Sequence, residues 1–430
     1  MRLWGKKKQF VRIPVAALRP GMHVSLAERW LDHPFLLNEF TLESENQIEL
    51  IRALGMVDIL WCAEQSDQPP LALEPAAGAP PAAACSASGD LQIAKARAER
   101  KARDARNRAS RDRTVRAERA YRDAAAQLRG AFSVAFHSPG KAVEMAQAII
   151  DDATRAFASD ENVSLVLLSE GMAANNLHTH GINVMLLTLL QAKTLGIDAP
   201  TMKSMALGAL FHDLGKLKLP DAVRMKSEPE MNRAELNYMQ LHVELGAKMT
   251  FSLSDFDPVA RAIIGLHHEH WDGSGYPYKL AGEKVPEAAR LVGIADRYDE
   301  LSNPTRMQDA LTPHQSLVHM FKRESGRFEA NALNRFIKAL GVFPPGTIVA
   351  LSNGAIGLVM SVNRESALRP LVVLWQEGTK PEDAPTLDLA VETELSILRA
   401  LRPAELEESV RSFLNPRSRT AYYYAKAIAD

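Results

Sequence analysis

The sequence predicts a multi-domain, mainly α protein, with an all-α core preceded by a small α+β domain and followed by a small antiparallel β extension. Three observations carry this expectation. Between Ser138 and Leu340 one helix-length apolar pattern follows another; up to Glu64 short apolar pieces alternate with turn signals; after Gly341 the chain becomes β-rich. At 430 residues and 46% hydrophobic content, the chain suits two or three domains with real cores.

In chain order, residues 8–65 hold the pieces VRIPV, MHVSL and VDILWC around the turn Arg19-Pro20-Gly21, with a helical pattern near Ser44 to Leu54. This is the α+β domain. Residues 66–90 (SDQPPLALEPAAGAPPAAACSASGD) carry too few large apolar side chains to offset the entropy of ordering, and read as a flexible linker. Residues 91–137 begin with an Ala/Arg-rich run, free of Gly and Pro as far as Leu128, which favours a charged helix. A solvated helix is the plainer reading. A coiled coil pairing two copies of the chain is the alternative, although large apolar a/d positions are missing from its first half. No aromatic residue precedes Tyr121 in this run, which argues against nucleic-acid stacking.

Residues 138–340 are helix after helix: KAVEMAQAIIDDATRAF, INVMLLTLLQAKTLG, TMKSMALGALFHDLG, AELNYMQLHVELGAKM, DPVARAIIGLHHEH and EAARLVGIADRYDEL. Residues 341–402 contain three β-rich runs separated by Ser-Asn-Gly and a polar loop, and residues 403–430 read as an exposed helical tail.

The 51 basic and 52 acidic side chains nearly cancel, so no global field draws the protein to DNA or an anionic membrane. Cys62 and Cys85 are the only cysteines, and the Ala/Pro-rich surroundings of Cys85 do not suit a disulfide. The start, MRLWGKKKQFVRIPV, lacks the apolar run of a secretory signal, and pieces such as VMLLTLL fall far short of the roughly 20 apolar residues of a membrane span. A soluble, cytoplasmic protein is expected.

Several polar residues sit on apolar helix faces. Asp213 falls in line with Met202, Met205, Ala206, Ala209 and Leu210; His242 with Tyr238, Leu245 and Met249; His267 with Val259 and Ile263; His180 with Val184 and Leu187. A single histidine of this kind is usually a hydrogen-bonded core residue. Four helices aiming imidazole or carboxylate inward, with the doublets His212-Asp213 and His267-His268 at helix ends, point instead to a metal site. The mixed His/Asp set suits iron, manganese or zinc and exceeds one tetrahedral zinc; two metals sharing a carboxylate is the economical solution, with Asp213 as the bridge. After His267-His268, the run Asp272-Gly273-Ser274-Gly275-Tyr276-Pro277 is either a plain helix-terminating loop or a backbone able to approach an anion, with Tyr276 free to pack on a base or sugar. Lys216 either complements a helix end or contacts phosphate.

Phe211-His212-Asp213-Leu214-Gly215-Lys216 followed by HHEHWDGSGYP resembles the HD-GYP domain, a subgroup of HD-superfamily phosphohydrolases that hydrolyse the bacterial second messenger cyclic di-GMP. The resemblance covers about residues 170–340. It implies His180, His212, Asp213, His242, His267, His268 and Asp296 as ligands of a binuclear iron or manganese centre. Asp213 and Lys216 would be catalytic; Asp272, Gly273, Gly275, Tyr276, Pro277 and Arg306 would hold substrate. The metals would lower the pKa of a bridging water for in-line attack, giving linear pGpG and, in some members, GMP. Diguanylate cyclases or other signalling proteins are the implied protein partners. VRIPVAALRPGMHV and WLDHPFLLNEF resemble a small domain of unknown function that precedes such domains, implying a regulatory role. Two features depart from the family. Asn176 replaces the glutamate of trinuclear members, and Thr305 and Gln308 stand where an RPYK-like segment carries basic residues, with Arg306 shifted by one. This departure keeps open a weak or inactive cyclic di-GMP receptor and a phosphodiesterase for another cyclic dinucleotide. Within HHEHWDGSGYP, Glu269 is expected to orient an imidazole and His270 to stand apart from the metals.

Overall fold

A computed structural model describes residues 9–26, 39–53, 56–71, 87–159, 163–168, 177–251, 253, 255–363, 366–381, 384–414 and 420–425. Cys85, Asn176 and most of the expected linker lie outside these residues. The chain divides into two units, Met1–Ala109 and Ser110–Asp430.

The first unit contains strands β1 (Phe10–Pro14), β2 (His23–Ser25) and β3 (Glu39–Thr41), helix α1 (Glu45–Ala53) and strand β4 (Asp58–Cys62). The strands form an antiparallel sheet in the order β1-β4-β2-β3. Met22, Val24, Leu42, Ile48 and Ile51 are fully buried, so one face of α1 closes one face of the sheet in the usual two-layer way. Cys62 is buried and unpaired with any sulfur.

Helix α2 runs from Ala87 to Ala135, starting earlier than the charged run suggests. Its second half corrects the expectation of a solvated helix. Ala117, Tyr121, Ala124, Leu128, Ala131 and Phe132 recur at spacings of three and four and are buried in the core of the second unit, so this face is used within the chain.

The second unit continues with α3 (Pro139–Ser159), β5 (Ser164–Leu167), α4 (Leu177–Thr194), α5 (Ala199–Phe211), α6 (Asp221–Arg224), α7 (Arg233–Phe251), α8 (Pro258–Leu266), α9 (Glu287–Ser302), α10 (Pro313–Arg323) and α11 (Ala330–Leu340). Helix α4 is buried on nearly every side from His178 to Ala192, which marks it as the central helix, packed by α3, α5, α9 and α11. Helices α5 and α8 are built alike. Each starts on an aspartate cap, Asp198 accepting from Thr201 N and Asp257 from Ala260 N, and each ends at a ligand-type doublet, His212-Asp213 and His267-His268. Asp213 therefore lies just past its helix, at the start of a 3-10 turn over Leu214–Lys218. Gly208 and Gly215 let these elements close up: a Cβ on Gly215 would lie 1.8 Å from His242 O. Tyr238 departs from its expected face and is 43% exposed near the start of α7.

Strands β6 (Ile348–Leu351), β7 (Ile356–Ser361), β8 (Leu371–Leu374), β9 (Thr386–Asp388) and β10 (Ile397–Leu401) follow, then α12 (Glu408–Leu414) and β11 (Tyr422–Ala425). Two expectations are corrected by this sheet. The tail is not an exposed helix: after the short α12, Tyr422, Tyr423, Tyr424 and Ala425 form a buried strand, as a run of aromatics favours. Nor is the core purely α, because β5 pairs antiparallel with β11 and joins it to β7, in the order β10-β6-β7-β5-β11 with β8 and β9 continuing from β7. Four residues give too short a pattern to separate a strand from the helices on either side.

Candidate metal centre

The seven residues singled out as ligands converge from α4, α9, the middle of α7 and the ends of α5 and α8. Among the described residues, three groupings bring ligand atoms within 4.8 Å of one another: Asp213 with His242, His267 and His268; His180 with His212 and Asp213; His212 with His267 and Asp296. Asp213 belongs to two of them. Its Oδ1 lies 3.3 Å from His242 Nε2 and 4.0 Å from His267 Nε2, while its Oδ2 lies 3.7 Å from His180 Nε2 and 3.6 Å from His212 Nε2. Asp296 Oδ1 is 3.0 Å from His180 Nε2 and 3.4 Å from His212 Nε2, and its Oδ2 is 3.8 Å from His268 Nδ1.

The backbone fixes the direction in which each imidazole presents a lone pair. His212 Nδ1 donates to Ala209 O at 2.7 Å, His242 Nδ1 to Met239 O at 2.6 Å, and His267 Nδ1 faces Ile263 O and Ile264 O at 3.2 Å each. With the proton held on Nδ1, each Nε2 is an inward acceptor, the tautomer that ligating histidines need. Asp213 Oδ1, His242 Nε2 and His267 Nε2 are buried with no hydrogen-bond partner. Leaving such atoms unpaired costs about 1–3 kcal/mol each, and a shared cation satisfies all three. The donor set therefore fits a metal.

Electrostatics agree. Burial pushes His242 down to about 4 and His267 to about 3, and holds His268 well below the ordinary range, so all three stay neutral donors. Burial also opposes charge on Asp213 and Asp296, but Lys216 and the surrounding imidazoles hold the first, and hydrogen bonds from His180 and His212 the second, well below their usual values. His180 differs: hydrogen bonds to Asp296 and Asp299 overcome burial and raise it well above an ordinary histidine. A proton between carboxylates occupies the place that a metal cation takes when it binds.

A cleft of about 730 Å³ opens over the cluster. Lys216 lies in its wall, with Nζ 2.5 Å from Asp213 Oδ2; burial disfavours its charge, but Asp213, Glu300 and Asp296 outweigh that and raise its pKa. Tyr276 also lines the cleft, its ring stacked on His268 at 4.7 Å, and burial beside carboxylates keeps its hydroxyl protonated. Asp272, Gly273, Gly275 and Pro277 are not brought to the cleft. They shape its supporting loop: Asp272 Oδ1 accepts from Ser274 N at 2.9 Å, Gly273 has φ +77°, and a Cβ on Gly275 would lie 2.4 Å from His268 O and His270 N. Arg306 sits outside the lining, paired with Glu230 at 2.9 Å and Asp309 at 3.4 Å, while Thr305 forms the wall. Glu269 corrects its expected role. Instead of orienting an imidazole, its buried carboxylate accepts from Tyr278 N at 2.6 Å and Leu280 N at 2.9 Å, satisfying loop amides that the chain reversal leaves unpaired. His270 bonds Ser274 Oγ and belongs to none of the three groupings.

Sequence reasoning missed two sets of residues. Asp299 lies one turn beyond Asp296 on α9 and accepts from His180 Nδ1 at 2.7 Å; the spacing of three was its available signal. Arg290, Arg297 and Arg327 line the cleft, each held by a carboxylate: Glu329 at 2.6 Å, Glu324 at 2.7 Å and Glu324 at 3.3 Å, with Arg290 also 5.1 Å from the Trp271 ring. Ordinary surface arginines have the same sequence appearance.

The HD-domain profile matches residues 161–331, a domain of unknown function (DUF3391) matches residues 10–148, and a KOW domain associated with the HD domain matches residues 348–409. Cyclic di-GMP phosphodiesterase PA4108 of Pseudomonas aeruginosa is 26% identical over 401 residues, 92% of each chain. The cyclic di-GMP phosphodiesterase response regulator RpfG of Xanthomonas campestris is 31% identical over 150 residues, 35% of this chain and 39% of its own. A 3'3'-cGAMP-specific phosphodiesterase of Vibrio cholerae is 35% identical over 120 residues, 28% of this chain and 23% of its own. The HD-domain match lies over the helices that build the cluster, so this part of the chain is similar to HD domains, and most of the chain is similar to a cyclic di-GMP phosphodiesterase.

Proposed function

We propose that the protein is a metal-dependent phosphodiesterase that opens cyclic di-GMP to linear pGpG in the cytoplasm, with His180, His212, Asp213, His242, His267, His268 and Asp296 holding two iron or manganese ions. The observation that carries this reading is Asp213, whose two oxygens face different imidazole groups at the floor of a dinucleotide-sized cleft. Bound there, two such metals supply Lewis acidity and lower the pKa of a water. The chain supplies the rest. Lys216 brings a fixed positive charge to the reacting phosphodiester, and Tyr276 offers a neutral hydroxyl donor beside it. Arg290, Arg297 and Arg327 give the cleft wall the cations that Thr305 and Gln308 lack, and their carboxylate partners hold the guanidinium planes ready for phosphate or guanine edges. Names of the relatives support cyclic di-GMP as substrate.

Anaerobically purified protein loaded with Fe²⁺ or Mn²⁺ should convert cyclic di-GMP to pGpG, read by chromatography. Absence of turnover, or turnover that survives Asp213→Ala, overturns the proposal. The relative named as specific for 3'3'-cGAMP favours a second reading, a related cyclic dinucleotide as substrate, and parallel assays with that compound separate the two.

A further inference from the structure

His180 differs from His212, His242 and His267: its outer nitrogen bonds a side chain, not its own helix. His180 Nδ1 donates to Asp299 Oδ2 at 2.7 Å. The second oxygen of that carboxylate, which is 1% exposed, receives two amides: Asn183 Nδ2 at 2.8 Å and Asn303 Nδ2 at 2.8 Å. Both amides reach one further acceptor. Thr420 O lies 3.1 Å from Asn183 Nδ2 and 2.8 Å from Asn303 Nδ2.

Thr420 stands at the entrance to β11, and the strand returns the bonds. Thr420 N donates to Asn303 Oδ1 at 2.7 Å and Tyr422 N to Asn183 Oδ1 at 3.4 Å. Each asparagine is thus oriented by strand backbone on one side and presents its N–H groups to Asp299 on the other. An amide could otherwise turn its oxygen toward the carboxylate; the N–H donors of Thr420 and Tyr422 specify which way it faces. The strand is itself anchored by pairing with β5 and by Tyr422 Oη, 3.2 Å from Tyr298 Oη and 3.4 Å from Pro345 O.

We propose that the C-terminal strand is the outer layer of a hydrogen-bond relay, Thr420 to Asn183 and Asn303 to Asp299 to His180, that fixes the tautomer and aim of His180. Asn183 and Asn303 are positioning residues acting through Asp299. The inference rests on the metal-site reading above. A carboxylate with one oxygen filled by two amides leaves the other to accept from imidazole, so Nδ1 is the donor and Nε2 faces the cluster, where it lies 3.0 Å from Asp296 Oδ1.

The test uses the full chain and Asn303→Asp. This change keeps an acceptor for Thr420 N, so the strand stays anchored there, but removes the donor to Asp299 and sets a carboxylate against it. Mn²⁺ affinity, followed by electron paramagnetic resonance titration, should fall about 10- to 100-fold, while the melting temperature of the metal-free protein stays within a few degrees. Asn303→Ala, which removes the donor and adds no charge, should fall between wild type and Asn303→Asp. Should Asn303→Asp not fold, Asn303→Ser, too short to bridge Asp299 and Thr420, takes its place. Wild-type Mn²⁺ affinity in a folded variant overturns the relay alone. A wild-type protein that binds no Mn²⁺ overturns the metal-site reading instead.

Discussion

Lys216 Nζ lies 2.5 Å from Asp213 Oδ2, three residues along the chain, so one carboxylate serves the imidazole cluster and the only lysine lining the cleft on its 3-10 turn. Removing either partner should have different results. Asp213→Asn should abolish metal binding, measured by metal analysis after anaerobic loading. Lys216→Ala should keep bound metal but lower kcat by about 10²- to 10³-fold, the usual loss when a group stabilising transition-state charge is removed.

The arginines should divide by position. Arg297→Ala and Arg327→Ala should raise KM for cyclic di-GMP about tenfold or more, because they line the cleft. Arg306→Ala should change KM less than threefold, because its side chain lies outside the cleft lining. Steady-state kinetics of the three variants side by side checks this; the reverse ranking would return Arg306 to the substrate.

Gly215→Ala should be among the most damaging single-methyl changes. Its Cβ would meet His242 O at 1.8 Å and Gly246 N at 2.5 Å, both backbone atoms of α7 that no rotamer can move. Overpacking of this kind costs about 1–3 kcal/mol or more, and here it also pushes His242 away from Asp213. Urea denaturation and Mn²⁺ titration should both register the loss.

Acid should destabilise the metal-free protein. Burial, reinforced at His178 by Arg129, pushes His178 and His242 down to about 4, and burial among charged neighbours pushes His267 to about 3, against an unfolded value near 6.5. Below that value the unfolded chain takes up protons that the folded chain refuses. The contribution to stability is therefore complete above about pH 6.5 and is lost as pH falls toward the folded values. Thermal melts of metal-free protein at pH 7.5, 6.5 and 5.5 should show a progressive fall. Bound metal should oppose it at the higher two values.

Much of the centre was legible because buried histidines and aspartates at helical spacings are costly without a shared purpose, and Asp213, His242 and His267 carried that signal unaided. What stayed hidden has physical reasons. Ser164–Leu167 forms a strand between β7 and Tyr422–Ala425, the latter more than 250 residues away, and no local pattern encodes such pairing. Glu269 looked like a partner for imidazole because it lies between histidines, yet the helix had ended and loop amides claimed its carboxylate first. The arginines of the cleft gain their meaning only from the carboxylates that tertiary structure sets beside them. Tyr121 and Phe132 were masked by the charges around them in a helix whose one apolar face is narrow.

The pairing of β5 with β11 sets an order of events in synthesis. The ribosome makes His180, Asp213 and Asp296 long before Thr420, so a growing chain can gather its ligand helices while Asp299 still lacks the backbone that orients its two asparagines. Completion of the centre waits for translation beyond Ala425. On the relay proposed above, a nascent chain would hold metal about 10- to 100-fold more weakly until β11 had docked.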